Sequence, residues 1–176
     1  MSRKNDMIAG GAVPGHQGQD PPPRISVIGA GKASQVERTL ARTLGRALGE
    51  AGAVVITGGL GGVMEAASLG CREGGGVTVG FLPGPDPWAA NPWVLLPLAT
   101  GMGEARNALV VRAGEVAVAV GGAWGTLSEI ALARKMGRDV AVLGECRWDV
   151  PLPRMKTAEE AAAWALDLIA TGRTGG

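Results

Sequence analysis

Short apolar, β-branched runs that each end in glycine and are followed by a helical pattern constrain this chain more than any other feature. The runs are Ile25 to Gly29, Ala53 to Thr57, Val77 to Phe81, Val94 to Ala99, Ala117 to Val120 and Val140 to Leu143. Most are apolar at consecutive positions, as strands covered on both faces must be. Helical patterns of roughly 10 to 18 residues separate them, which is the sequence form of a parallel sheet with crossover helices. The expected fold is α/β, a Rossmann-like three-layer α/β/α arrangement on a mostly parallel sheet.

The first helix is announced by Ser34 and Glu37 in capping-box spacing, with Val36, Leu40, Leu44 and Leu48 as its core stripe. Further helices are expected from Gly62 to Leu69, from about Gly103 to Arg112, from Thr126 to Met136 with Gly137 as a stop, and from Thr157 with Glu160 three residues on. Residues 1 to 23 are rich in Gly and Pro and end in Pro21-Pro22-Pro23, so they read as a disordered tail. Residues 24 to 176 read as a single domain, without an internal repeat.

Composition narrows the chemistry. With 17 basic and 16 acidic side chains, the net charge of +1 offers no field to attract nucleic acid or an anionic membrane. No apolar run reaches the roughly 20 residues of a bilayer span, and no signal peptide is visible at the start, so a cytoplasmic protein is expected. Cys71 and Cys146 read as reduced thiols, and the one histidine, His16, falls in the tail. No metal site is expected, and catalysis by histidine is disfavoured.

In an open α/β sheet ligands bind beyond the carboxyl ends of the strands, where this chain concentrates its glycines. The clusters are Gly29-Ala30-Gly31, Gly58-Gly59-Leu60-Gly61-Gly62, Gly84, Gly101-Met102-Gly103 and Gly121-Gly122. Tight turns need glycine on their own account, but so many on one rim favour a phosphate-bearing ligand held by backbone N–H groups and helix N-termini. Gly29-Ala30-Gly31-Lys32 is neither a Walker loop nor a dinucleotide fingerprint, because the required spacing and third glycine are missing.

Stronger is the run from Gly121 to Glu129, in which Gly125 and Thr126 offer N–H groups and a hydroxyl at a helix start. Thr126 and Glu129 also fit a structural capping box. Trp124 reads either as a ring that stacks on a ligand or as an interface side chain. Arg106 falls in the first turn of a helix, where a cation is unfavourable without an anion nearby, and Asn107 beside it offers neutral hydrogen bonds. The binding candidates are therefore Gly29, Gly31, Lys32, Gly58, Gly59, Gly61, Gly62, Met64, Gly101, Gly103, Arg106, Asn107, Gly121, Gly122, Trp124, Gly125, Thr126 and Glu129.

The order Gly58-Gly59-x-Gly61-Gly62-Val63-Met64, Phe81-Leu82-Pro83-Gly84, Gly101-Met102-Gly103-Glu104-Ala105-Arg106-Asn107 and Gly-Gly-x-x-Gly-Thr-x-x-Glu resembles the LOG-like (lysine-decarboxylase-like, DprA/Smf-related) Rossmann superfamily. Within it the chain is most similar to the molybdenum cofactor carrier branch. The resemblance implies a binding protein for a phosphate-bearing pterin or nucleotide-like ligand, with molybdenum cofactor or a nucleoside monophosphate as bound ligand and no required cofactor. It also implies a homo-oligomer, a dimer or tetramer.

The alternative implied by the same resemblance is a phosphoribohydrolase that cleaves the N-glycosidic bond of nucleoside 5′-monophosphates, with Arg106 and Glu129 as its catalytic pair. Those enzymes carry proline before the Gly-Gly pair, where this chain has Val120, and their loop lacks one of the two residues Ala123 and Trp124. A pyridoxal phosphate lysine site has no counterpart here. Single-stranded DNA binding, known in the wider superfamily, requires a basic groove that the balanced charge does not promise.

Overall fold

The computed structural model describes residues 21–173, so most of the expected tail, residues 1–20, lies outside the described residues. The strands are β1 (Arg24–Gly29), β2 (Val54–Thr57), β3 (Val77–Leu82), β4 (Leu96–Ala99), β5 (Val116–Val120), β6 (Asp139–Leu143) and β7 (Arg154–Met155). The helices are α1 (Gln35–Glu50), α2 (Val63–Glu73), α3 (Asn107–Ala113), α4 (Trp124–Lys135) and α5 (Ala158–Ala170). Two short 3₁₀ turns, Pro87–Ala89 and Gly103–Arg106, complete the described residues.

The strands form one sheet in the order β4-β3-β2-β1-β5-β6-β7, and every pairing is parallel. The chain winds outward from β1 to β4, then returns to lay β5 on the other side of β1. The turns after β1 and β5 thus flank the point where the winding reverses, the place where such sheets leave a crevice.

Side-chain alternation divides the sheet between two cores. Ile25 and Val27 of β1 and Val116, Val118 and Val120 of β5 face α1, α2 and α5. Ile28, Ala117 and Ala119 face α3 and α4, represented by Val110, Val111, Ile130 and Ala133. This is the three-layer arrangement the strand and helix alternation predicts.

Capping boxes form at both sites where Ser34 and Thr157 announce them. Val36 departs from its expected role, being 68% exposed. Residues spaced by four drift about 40° per step around a helix, so the stripe from Leu48 back to Val36 swings through roughly 120° and leaves the buried face. That face is carried instead by Ala41, Leu44, Gly45, Leu48 and Gly49.

Gly45 and Gly49 of α1 meet Gly70 of α2 and its C-cap, Gly74, along a seam. A Cβ on Gly45 would overlap the carbonyl oxygen of Ala67, and one on Gly70 that of Arg42. The two backbones are in direct contact, and Arg42 and Arg46 both reach across the seam to Glu73. At the far edge of the sheet, β4 is shorter than its apolar run suggests: Leu95 N donates to Thr78 Oγ1 at 2.8 Å and Trp93 O accepts from it at 2.7 Å, so the segment before Leu96 is tied to a β3 side chain and not to the ladder. Trp88, Leu95, Leu96, Leu98 and Met102 stay exposed around it.

Candidate functional site

Because all strands are parallel, the turns that follow β1, β2, β4 and β5 leave the same edge of the sheet. Over them opens a cavity of about 320 Å³. The β1–α1 turn supplies Gly29, Gly31 and Lys32, and α2 supplies Met64. From the second 3₁₀ turn and α3 come Arg106 and Asn107, and α4 contributes Gly125, Thr126 and Glu129. Residues far apart in sequence, all of them binding candidates, therefore share one space.

Helix α4 begins earlier than expected. Its N-cap is Ala123, without a side-chain cap, and the first helical bond runs from Leu127 N to Ala123 O at 2.9 Å. The Thr126–Glu129 capping box does not form. Trp124, Gly125 and Thr126 occupy the first turn, whose N–H groups have no intrahelical partner. Gly125 is exposed and a Cβ there would meet open space, so its amide is free to face a ligand. Freed from capping, Thr126 is buried, with Oγ1 lacking any hydrogen-bond partner.

Arg106 is buried against the β2–α2 turn, so closely that a side chain on Gly58 would overlap its guanidinium. Its Nε has no hydrogen-bond partner. Burial works against its charge, and Glu129 and Glu104 nearby support it. Glu129 is also buried, and desolvation is the main cause that pushes its carboxyl up to about 7, with Arg106 opposing and Glu104 reinforcing the shift. At neutral pH Glu129 is divided between a proton donor and an anion.

The remaining candidates shape the walls without lining this cavity. Gly62 has φ 69°, and a Cβ there would overlap the carbonyl of Ala30, which accepts from Val63 N at 3.0 Å. Gly59 packs on the backbone of Gly80, and Gly61 approaches the carbonyl of Gly31. Gly101 and Gly103, both at positive φ, donate to Gly84 O and Pro83 O at 3.1 and 2.9 Å, tying the β4 turn to the β3 turn. Gly121 packs against the Glu37 carboxylate, and Gly122 lies beside Cys146 and Trp148. Trp124 points away, 72% exposed, with its ring centroid 4.4 Å from that of Trp148.

Two polar residues absent from the sequence candidates hold the β2–α2 turn. Thr57 Oγ1 accepts from Gly59 N at 3.1 Å, and Asn91 Nδ2 donates to Gly59 O and Leu60 O at 3.2 and 2.9 Å. Asn91 lies more than thirty residues from its partners, a distance no local pattern spans. Among the described residues no group of three or more His, Cys, Asp or Glu is placed to hold a metal, and no helix is long and apolar enough to cross a membrane.

A parallel sheet whose reversal point opens into a cavity is the architecture of a Rossmann-like α/β fold. Residues 22–167 match the model of the SLOG cluster4 family, and the chain belongs to that family. A relative from Archaeoglobus fulgidus described only as an uncharacterized protein is 42% identical over 120 residues, which are 68% of this chain and 79% of its own. The molybdenum cofactor binding protein from Rippkaea orientalis is similar in structure, with TM-score 0.77 and 30% identity over 89% of this chain and 100% of that one. The molybdenum cofactor carrier protein from Chlamydomonas reinhardtii gives TM-score 0.77 and 34% identity over 85% of this chain and 99% of that one. DNA processing protein A from Streptococcus pneumoniae shares the fold, with TM-score 0.65 and 18% identity over 81% of this chain and 61% of that one.

Proposed function

We propose that this protein binds and carries a phosphate-bearing small molecule of pterin or nucleotide type, with molybdenum cofactor as the first cargo to test. One observation carries the reading. Two buried polar groups from different elements, Thr126 Oγ1 and Arg106 Nε, lack partners at the cavity where the first-turn amides of α4 are also free. Buried polar groups are normally satisfied, and a phosphate supplies acceptors for all three kinds of donor. The similarity to structures named as molybdenum cofactor carriers supports the same reading.

N-glycosidic hydrolysis is the second reading, favoured by the raised Glu129 carboxyl beside Arg106. Gly125→Asp tests the phosphate seat. A Cβ at position 125 meets no protein atom within 4 Å, and the residue stands in the first turn of a helix, where an acidic side chain is favourable, so folding should be unharmed. Titration with AMP and with molybdenum cofactor should show binding weakened by more than about 2 kcal/mol, from charge repulsion and lost space. Undiminished affinity in the folded variant would remove this seat. No adenine or ribose 5-phosphate should accumulate from AMP with the wild-type protein. Release that disappears in Glu129→Ala would replace the carrier by the hydrolase.

We also propose that copies of the chain associate along β4, an unpaired sheet edge ringed by exposed Trp88, Leu96 and Leu98. Sedimentation equilibrium should give a dimer or tetramer, and Leu96→Asp with Leu98→Asp should give a monomer.

A further inference from the structure

A second cavity opens on the same rim, on the other side of the β5–α4 turn, with a volume of about 980 Å³. Leu40 of α1 and Leu143 of β6 give it an apolar lining, extended by the exposed side chain of Val36. Three cations, Arg147, Arg154 and Lys156, come from the β6–β7 loop, from β7 and from the residue after it. Among the described residues none of the three forms an ion pair with a carboxylate. The Arg154 side chain donates one hydrogen bond, to Trp148 O at 3.2 Å.

The carboxylates in the lining are Glu37 and Glu145. Glu37 is already engaged, since it accepts from the backbone N and the hydroxyl of Ser34 at 2.7 and 2.8 Å. Counting three cations against two carboxylates, the lining carries a net charge of +1. The match is a monoanion with an apolar body.

We propose that this cavity is a separate binding site for a small organic monoanion with a flat apolar body. Its acid group is held by Arg147, Arg154 and Lys156, and its body lies over Leu40 and Val36. Charge-assisted hydrogen bonds from several cations fix the acid group, while the apolar lining selects against inorganic anions. The phosphate seat at Gly125 is not part of this site.

The probe is 1-anilinonaphthalene-8-sulfonate, a flat aromatic monoanion whose fluorescence rises on leaving water, titrated into the full-length protein. One saturable site is expected. In the Arg147→Ala, Arg154→Ala, Lys156→Ala triple variant binding should weaken about tenfold or more, because hydrogen bonds to a charged group are lost. Val36→Glu, a change at an exposed side chain that leaves the three cations in place, should weaken it as well and covers the case in which the triple variant fails to fold. Gly125→Asp should leave it unchanged. Equal binding by wild type and a folded triple variant, as adsorption to the exposed β4 edge would give, overturns the proposal. So does a loss in Gly125→Asp as large as that in the triple variant, which would make the two cavities one site.

Discussion

Replacing Gly70 by Ala should destabilise the protein by about 4 kcal/mol or more, although alanine improves intrinsic helix propensity by about 1 kcal/mol. The new methyl would overlap the carbonyl oxygen of Arg42, a backbone atom that no rotamer change can remove. To admit it, α1 and α2 must separate along the whole seam from Gly45 to Gly74. That separation loosens Leu44, Leu48, Val63 and Ala67 in the core beneath them. Gly125→Ala is the matched control, since the same methyl at another helical glycine enters open space. Urea unfolding of the two variants should give opposite signs, and a Gly70→Ala protein as stable as wild type would mean that the helices are not in backbone contact.

The second large effect is a pH dependence carried by Glu129. Its ordinary value is 4.5, and burial raises it to about 7 in the folded protein. Below the ordinary value both states hold the proton and ionisation costs nothing. As pH rises through the window between 4.5 and about 7, the unfolded chain releases its proton first, and the folded state loses relative stability. Above that window the loss is complete, on the order of 3 kcal/mol. Glu129→Gln keeps the size and removes the titration. Unfolding free energies of both proteins should differ least below the ordinary value of 4.5 and diverge through the window up to about 7, with the glutamine variant the more stable above it. Parallel curves would place the carboxylate in contact with water.

Legibility followed the physics of each element. β5 is readable because all five residues, Val116 to Val120, are buried and every one is apolar. β7 is two residues long and carries no period, and it is strand only because the end of β6 is beside it. At the cavity, Gly31 and Gly125 could be chosen as glycines of the turns beyond the strands, and Arg106 and Glu129 from charged residues placed near helix starts. Whether Trp124 faced a ligand or solvent turned on where α4 starts, and that was decided by Ala123 rather than by the threonine that looked like a cap. The Gly45–Gly74 seam was hidden for another reason. A glycine inside a helical period shows its lack of a side chain but not which neighbour needs the space.

Backbone contact between α1 and α2 also has a mechanical result. The N-terminal ends of these helices adjoin the turns at Gly31 and Gly62, so the two turns form one stiff jaw that cannot yield by side-chain repacking. The opposite jaw is the start of α4 together with the turn at Arg106, and these meet the first jaw through side chains, Arg106 at Gly58 and Glu37 at Gly121, rather than through backbone-to-backbone contact. Any widening needed to admit a ligand of the proposed kind falls on this second jaw. On the function proposed above, the residues assigned to hold the ligand are then the ones that must move to release it.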